Sequence, residues 1–147
     1  MRRGAAGTTG SVPAATVLYD ADCGFCRASV AALLRFDRHG RLLPETIQSP
    51  EGRRLLAAVA PEQRLERAHL VLPDGRIHSG GDAVAPIARL LPGFTPVAVL
   101  AGALGGPLRT GYDWVAGHRT GLSRLVPRTL KDRAAERIAA HRDRVVG

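Results

Sequence analysis

One stretch constrains this chain more than any other: Val17-Leu18-Tyr19-Asp20-Ala21-Asp22-Cys23-Gly24-Phe25-Cys26. An apolar, β-prone run ends in two acids, and the only two cysteines follow, three positions apart. Val30, Leu33, Leu34 and Phe36 then recur at helical spacing, with Arg27, Arg35 and Arg38 between them. The pattern predicts a buried strand over 16–19, a tight turn, Cys-x-x-Cys, and a helix over 24–38 stopped by His39-Gly40.

Cysteines at i and i+3 across a first helical turn share one face and can reach bonding distance with little backbone cost. The helix N-terminus offers unpaired N–H groups and a partial positive charge, which favour a thiolate at Cys23, the sulfur expected to be the more exposed. At an ordinary pKa near 8.5 only roughly 3% of a thiol is ionised at pH 7, and lowering the pKa to about 7 makes it roughly half. Gly24 is expected to keep the turn open and Phe25 to give the loop an apolar body. The chemistry this predicts is thiol–disulfide exchange: Cys23 attacks a disulfide, and Cys26 resolves the mixed disulfide. Asp20 and Asp22 have two readings each. Either accepts hydrogen bonds in an Asx turn or as the helix N-cap; alternatively Asp20 takes the proton of Cys26, while a carboxylate beside Cys23 opposes its ionisation. The cap contact is the favoured reading for Asp22.

The remaining elements follow from pattern and punctuation. Residues 1–14 read as a flexible tail rich in Gly, Ala, Thr and Pro. A second strand is expected over 41–48, weakened by Pro44. Ser49-Pro50-Glu51 starts a helix that runs to about Ala60. His69 to Leu72 and Arg76 to His78 form a hairpin around Pro73-Asp74-Gly75. Gly80-Gly81-Asp82 opens a helix from Ala83 to Leu91. This β-α-β-α-β-β-α order predicts a thioredoxin-like α/β fold, a mixed four-stranded sheet flanked by helices. A helical extension should follow, over 95–104 and 108–122. The charged helix 131–145 reads as solvated, and the basic stretch Arg128 to Arg144 is otherwise unassigned. The domain therefore spans 15–125, with 126–147 as a charged C-terminal helix.

Composition narrows the setting. The formal net charge is +8, and of 21 basic residues all but Lys131 are arginine. They are spread along the chain with no aromatic-studded basic strand, which argues for a solvated basic face rather than a nucleic-acid platform. Two cysteines are too few for a disulfide scaffold, and residues 4–13 hold no continuous apolar core of a signal peptide, so a cytoplasmic protein is expected. In a reducing compartment Cys-x-x-Cys is catalytic or metal-binding rather than structural. The apolar stretch Phe94 to Leu108 is short of the roughly twenty residues that span a bilayer, and Pro96, Gly102, Gly105, Gly106 and Pro107 interrupt it; it reads as a buried or partner-facing helix.

Asp20-x-x-Cys23-x-x-Cys26 after an apolar strand resembles the DCC family of thiol–disulfide oxidoreductases, named for this spacing. Leu70-Val71-Leu72-Pro73-Asp74-Gly75, with Gly80-Gly81-Asp82-Ala83 after it, resembles that family's hairpin and helix start. Tyr112-Asp113-Trp114-Val115-Ala116-Gly117-His118-Arg119 resembles its C-terminal segment. The likeness covers roughly residues 16–124. It implies a thioredoxin-like fold, a protein-disulfide reductase activity at Cys23 and Cys26 without a cofactor, a disulfide-bearing protein or small molecule as substrate, and a thiol electron donor. Two departures stand out: Ala21 replaces a usual Gly, and 65–69 lacks the cis-proline that thioredoxins carry before the third strand.

Three other readings use the same residues. Asp20-x-Asp22 after a strand matches a haloacid dehalogenase-like phosphatase with Mg²⁺, but Cys23 stands where Gly-Thr is expected, and the only lysine follows the candidate acid Asp82. Cys-x-x-Cys is half of a zinc site, yet there is no second pair, and His39, His69, His78, His118 and His141 show no ligand spacing with one another. The two cysteines could also be plain core residues of a binding domain. In that case, as in the others, Tyr112 and Trp114 read as core anchors for the C-terminal helices.

Overall fold

The computed structural model describes Pro13 and residues 15–146; the expected tail over 1–14 otherwise lies outside the described residues. Strand β1 is Ala15–Tyr19, helix α1 Gly24–Leu34, β2 Leu42–Thr46, α2 Pro50–Leu55, α3 Pro61–Arg64, β3 His69–Val71 and β4 Ile77–Ser79. A 3₁₀ turn, Gly80–Ala83, leads into α4 Val84–Leu90, followed by α5 Thr95–Ala103, α6 Gly105–Leu125 and α7 Arg128–Val146. The four strands form one mixed sheet in the order β2-β1-β3-β4, with β1 parallel to β2 and antiparallel to β3, and β3 antiparallel to β4. This is the thioredoxin-like α/β arrangement expected from the element order. No helix among the described residues is long and apolar enough to cross a membrane.

The period of two along the strands sorts the core into two layers. Ala15, Val17 and Tyr19 of β1 and Leu70 of β3 pack with Val30, Ala31 and Leu34 of α1, Ala83, Leu91, and Ala134 and Ile138 of α7. The intervening Leu18 and Val71 face the other way and meet Ile47 and Leu56. His69 is a core histidine: its ring bonds Ser79 Oγ at 2.7 Å and Arg64 O at 2.9 Å, and burial pushes its pKa down.

Pro44 does not weaken β2, because β2 is an edge strand and Pro44 sits at an outward position. In the parallel pairing Ala15 N donates to Arg41 O and Ile47 N to Tyr19 O, so Leu42, Pro44 and Thr46 turn their backbone groups away from the sheet. A proline there removes a donor that would otherwise need a partner. The remaining outward groups are met one by one. Leu42 N donates to Asp37 Oδ2 at 2.9 Å, and Thr46 N to the Glu45 carboxylate at 3.1 Å. Pro44 O accepts Arg142 Nη1 at 3.0 Å, and that guanidinium also reaches Glu45 Oε2 at 2.7 Å.

The same edge corrects the reading of the last helix as solvated. Helix α7 packs along α1 and buries Ala134, Ile138, His141 and Val145. His141 is 5% exposed; its Nε2 lies 3.0 Å from Leu42 O and 3.1 Å from Asp37 Oδ2, and Arg144 Nη2 donates to its Nδ1 at 3.0 Å. Nε2 is then the donor of the ring and Nδ1 faces the Arg144 guanidinium. Asp37 is fully buried; its carboxylate meets Arg41 N, Leu42 N and His141, and its carbonyl accepts from Arg144 and Gly40 N. This polar knot also ends α1 at Leu34, four residues before the expected stop, because Asp37 is drawn into the turn to β2.

Two further expectations change. Helix α5 buries only Ala98 and Ala101 and leaves Val97, Val99 and Leu100 exposed, so of the two readings of the apolar run, buried or partner-facing, the buried one is not found. Trp114 is 61% exposed and stacks on His118, with ring centroids 4.3 Å apart, so it is not a core anchor. Tyr112 is one. Its ring packs against Gly80, whose φ of +59° and missing Cβ admit it, and its hydroxyl oxygen accepts the Ala68 N–H at 3.0 Å. A Cβ at the next residue, Gly81, would lie 2.9 Å from Arg109 Cα, so the glycine pair lets α6 lie directly on the 3₁₀ turn.

Replacing Asp37 by alanine leaves the N–H groups of Arg41 and Leu42 without an acceptor and leaves the His141 ring only Leu42 O. Asp37→Ala is expected to lower unfolding stability by about 3 kcal/mol, read by urea denaturation. A loss below about 0.5 kcal/mol would show that α7 is held on the edge by something else.

Candidate functional site

Strand β1 delivers Asp20 to the end of the sheet, and α1 begins four residues later. The helix N-cap is Cys23 itself: its φ and ψ are extended, and its Sγ accepts the Cys26 N–H at 3.2 Å. The expected cap role for Asp22 is therefore not found. Asp22 is exposed, and the sulfur takes the position that Ser, Thr or Asp commonly fill. Asp20 makes the Asx turn instead, with Oδ1 accepting Asp22 N at 2.9 Å. The same oxygen accepts Gln48 Nε2 at 2.7 Å, while Gln48 Oε1 accepts Ala21 N at 3.0 Å. Oδ2 faces Arg119 Nη2 at 3.7 Å, a pair with both side chains largely buried. Both oxygens of Asp20 thus have partners, Asp22 N and Gln48 at one and Arg119 at the other. Among the described residues no three His, Cys, Asp or Glu side chains group to hold a metal ion.

The two sulfurs are close together but differ in surroundings. Contrary to expectation, Cys23 is the more buried, at 9% exposure, and Cys26 is intermediate. The reason lies in the helical extension. Gly24 does not hold the turn open to solvent: the space its missing side chain leaves is filled by the Lys131 stem, with Cε 2.5 Å and Ser123 Oγ 3.0 Å from where a Cβ would stand. Cys23 instead opens onto a cavity of about 290 Å³ beneath the α6–α7 connection, shared with Asp22, Arg124 and Lys131. Cys26 faces a second cavity of about 280 Å³, walled by Phe25, Val30, Leu33, Ile87, Tyr112 and Val115. Asp20 and Arg119 border both. A wider hollow of about 500 Å³ between β4, α4 and α6 contains neither cysteine.

Electrostatics separate the sulfurs further. Burial first, then the hydrogen bond to Cys23 and the charge of Cys23, push the Cys26 thiol up to about 12; Asp20 adds to the rise and Arg119 opposes it. Cys26 is thus the thiol that keeps its proton. Burial likewise raises the Tyr112 phenol, with the Ala68 contact opposing. The arrangement suits two-step exchange: one sulfur accepts a backbone N–H of the helix start, and the other keeps its proton beside it.

Of the four residues expected at the site, Cys23, Cys26 and Asp20 are brought together, and Asp22 stands at the rim. Gln48, Arg119 and Lys131 were not foreseen there. Parallel pairing gave the signal for Gln48: Thr46 is level with Tyr19, so the residue two beyond β2 falls beside the turn after β1. Arg119 closes the conspicuous segment that starts at Tyr112. Nothing local marks Lys131.

No curated protein and no solved structure matches the chain. The sequence model of the DCC1-like thiol-disulfide oxidoreductases matches residues 17–125, which runs from within β1 to the end of α6 and leaves α7 outside. With the Cys-x-x-Cys at the start of α1, this chain belongs to the DCC1-like thiol-disulfide oxidoreductase family.

Proposed function

We propose that the protein is a disulfide reductase that uses Cys23 as attacking sulfur and Cys26 as resolving sulfur. The observation that carries this reading is the asymmetry of the pair: Cys23 receives a helix-start N–H and opens onto a cavity, while Cys26 is held protonated against it. The Cys23 thiolate attacks one sulfur of a substrate disulfide, and the other sulfur leaves as a thiolate that takes a proton from water. Cys26 then gives up its proton and attacks Cys23 Sγ. The Cys23–Cys26 bond forms, the bond from Cys23 to substrate breaks, and the second substrate sulfur leaves with a proton. Substrate gains two electrons and the dithiol loses two. A thiol donor returns them, and we place this cycle in the cytoplasm, where such donors are maintained.

Asp20 is assigned as the acceptor of the Cys26 proton. It borders the same cavity as Cys26 and acts on it electrostatically. Arg119 beside it keeps the carboxylate from simply repelling the new thiolate.

Insulin or model-disulfide reduction separates the two cysteines. Cys23→Ser is expected to be inactive, and Cys26→Ser to stop as a mixed disulfide visible by mass. Equal rates for wild type and both variants would remove the enzymatic reading.

Labelling tests the order of attack. Burial and the neighbouring sulfur raise the Cys26 pKa, so Cys26 stays protonated well above neutral pH. Iodoacetamide on the reduced protein is expected to modify Cys23 and spare Cys26 between pH 7 and 9. Equal modification of both would reverse the assignment.

Asp20→Asn tests the proton acceptor. It is expected to slow resolution roughly a hundred-fold, with mixed disulfide accumulating and the remaining rate rising steeply with pH as hydroxide takes over. A resolution rate and pH profile like those of wild type would leave Asp20 only its turn-forming role.

A further inference from the structure

Resting on the exchange chemistry above, we propose that the cavity over Cys23 selects disulfides flanked by carboxylates, with Lys131 and Arg124 as the recognising cations. At about 290 Å³ the cavity is near the lower end of small-molecule sites, roughly 300 Å³. Its wall carries three cations, Arg119, Arg124 and Lys131, against two acids, Asp20 and Asp22. These charges do not cancel in place. Asp20 is already engaged by Gln48, the Asp22 N–H and Arg119. Neither Arg124 nor Lys131 makes an ion pair among the described residues. Two cations thus face exposed Asp22 alone, beside the sulfur that attacks. The Cys26 cavity, by contrast, is walled mainly by apolar side chains, so a choice by charge belongs to the Cys23 side.

Lys131 makes the case specific to this chain. It is the only lysine, and it comes from α7, beyond the segment that defines the family. Its stem lies against Gly24, at the start of α1, and the residue lines the cavity over Cys23. A carboxylate two or three bonds from a substrate sulfur meets that ammonium while the sulfur meets Cys23. A substrate amine in the same place meets two like charges.

The test measures single-turnover rate constants of pre-reduced protein with three small disulfides: 3,3′-dithiodipropionate (anionic), bis(2-hydroxyethyl) disulfide (neutral) and cystamine (cationic). The expected order is anionic, neutral, cationic, compressed by high salt. In Lys131→Gln the ratio of anionic to neutral rate falls roughly three- to five-fold, while Lys131→Arg keeps it. Arg124→Gln, which does not touch Gly24, gives a fall of the same sign and guards against mere loosening of α7. A pair of disulfide-bridged peptides differing only in flanking Glu or Lys extends the comparison. Discrimination between these as well makes acidic protein segments substrates, and discrimination among the small disulfides alone restricts the site to small molecules. Equal rates for the three charges, a preference for cystamine, or losses in the variants that are the same for every disulfide would overturn the proposal and leave the exchange chemistry standing. No reaction with any disulfide would instead remove that chemistry, and the selectivity with it.

Discussion

The open outer edge of β2 is the constraint from which the rest of the molecule follows. A parallel edge strand turns every second residue's N–H and C=O outward, and in a small sheet these groups invite pairing with another chain. Here the edge is closed by devices of different origin: a proline with no donor, an aspartate drawn in from the preceding turn, a glutamate of the strand itself, and two side chains of α7. Each covers one position, so α7 is fixed in register as well as direction. It runs alongside α1 in the same sense, with its His141 end at the start of β2 and its Lys131 end at the start of α1. The cover for a sheet edge therefore also roofs the reactive turn. That is why Cys23 is buried although it stands at a helix N-terminus.

The site is asymmetric for a related reason. A single helix start serves both sulfurs, but its two sides face different neighbours. The Cys23 side looks toward α7 and the end of α6, where charged residues line a cavity. The Cys26 side looks toward α4 and the middle of α6, where apolar side chains do. Arg119 and Asp20 stand where the two cavities meet. Desolvation on the apolar side holds the Cys26 proton, and the helix-start N–H faces the other sulfur. Two cysteines three residues apart thus stand in different surroundings, set by segments far from them in the chain.

What could be read from the chain follows from how local each signal is. The strand, the Cys-x-x-Cys turn and the hairpin at Pro73-Asp74-Gly75 announce themselves within ten residues, because apolar period and turn residues are local properties. The element order then carried the sheet. Failures came where a residue's role is set by a partner far along the chain. Pro44 looked like a defect until its strand proved to be an edge. Helix α7 looked solvated because Ala134, Ile138, His141 and Val145 make a thin stripe among arginines, and a histidine reads as polar until it is seen bonding Leu42 O, 99 residues away. Trp114 looked like an anchor because tryptophan usually is one; the turn of α6 that presents Tyr112 inward leaves Trp114 outside. Gln48 and Lys131 had no local mark at all.

Gly24 ties these strands together. Between two cysteines a glycine invites the reading that flexibility or openness is wanted there. The space says otherwise, since an added Cβ would overlap the Lys131 stem and press on Ser123. The position lacks a side chain because another chain segment already fills it. Any larger residue at 24 must displace either the lysine from the cavity or the N-terminal half of α7 from α1, and the second would begin to uncover the β2 edge. One glycine in the reactive turn is thereby coupled to a lysine more than a hundred residues later, and through it to the sheet. The motif that defines the family lies within the matched segment, but the shape of its surroundings is decided partly by the helix that lies beyond it.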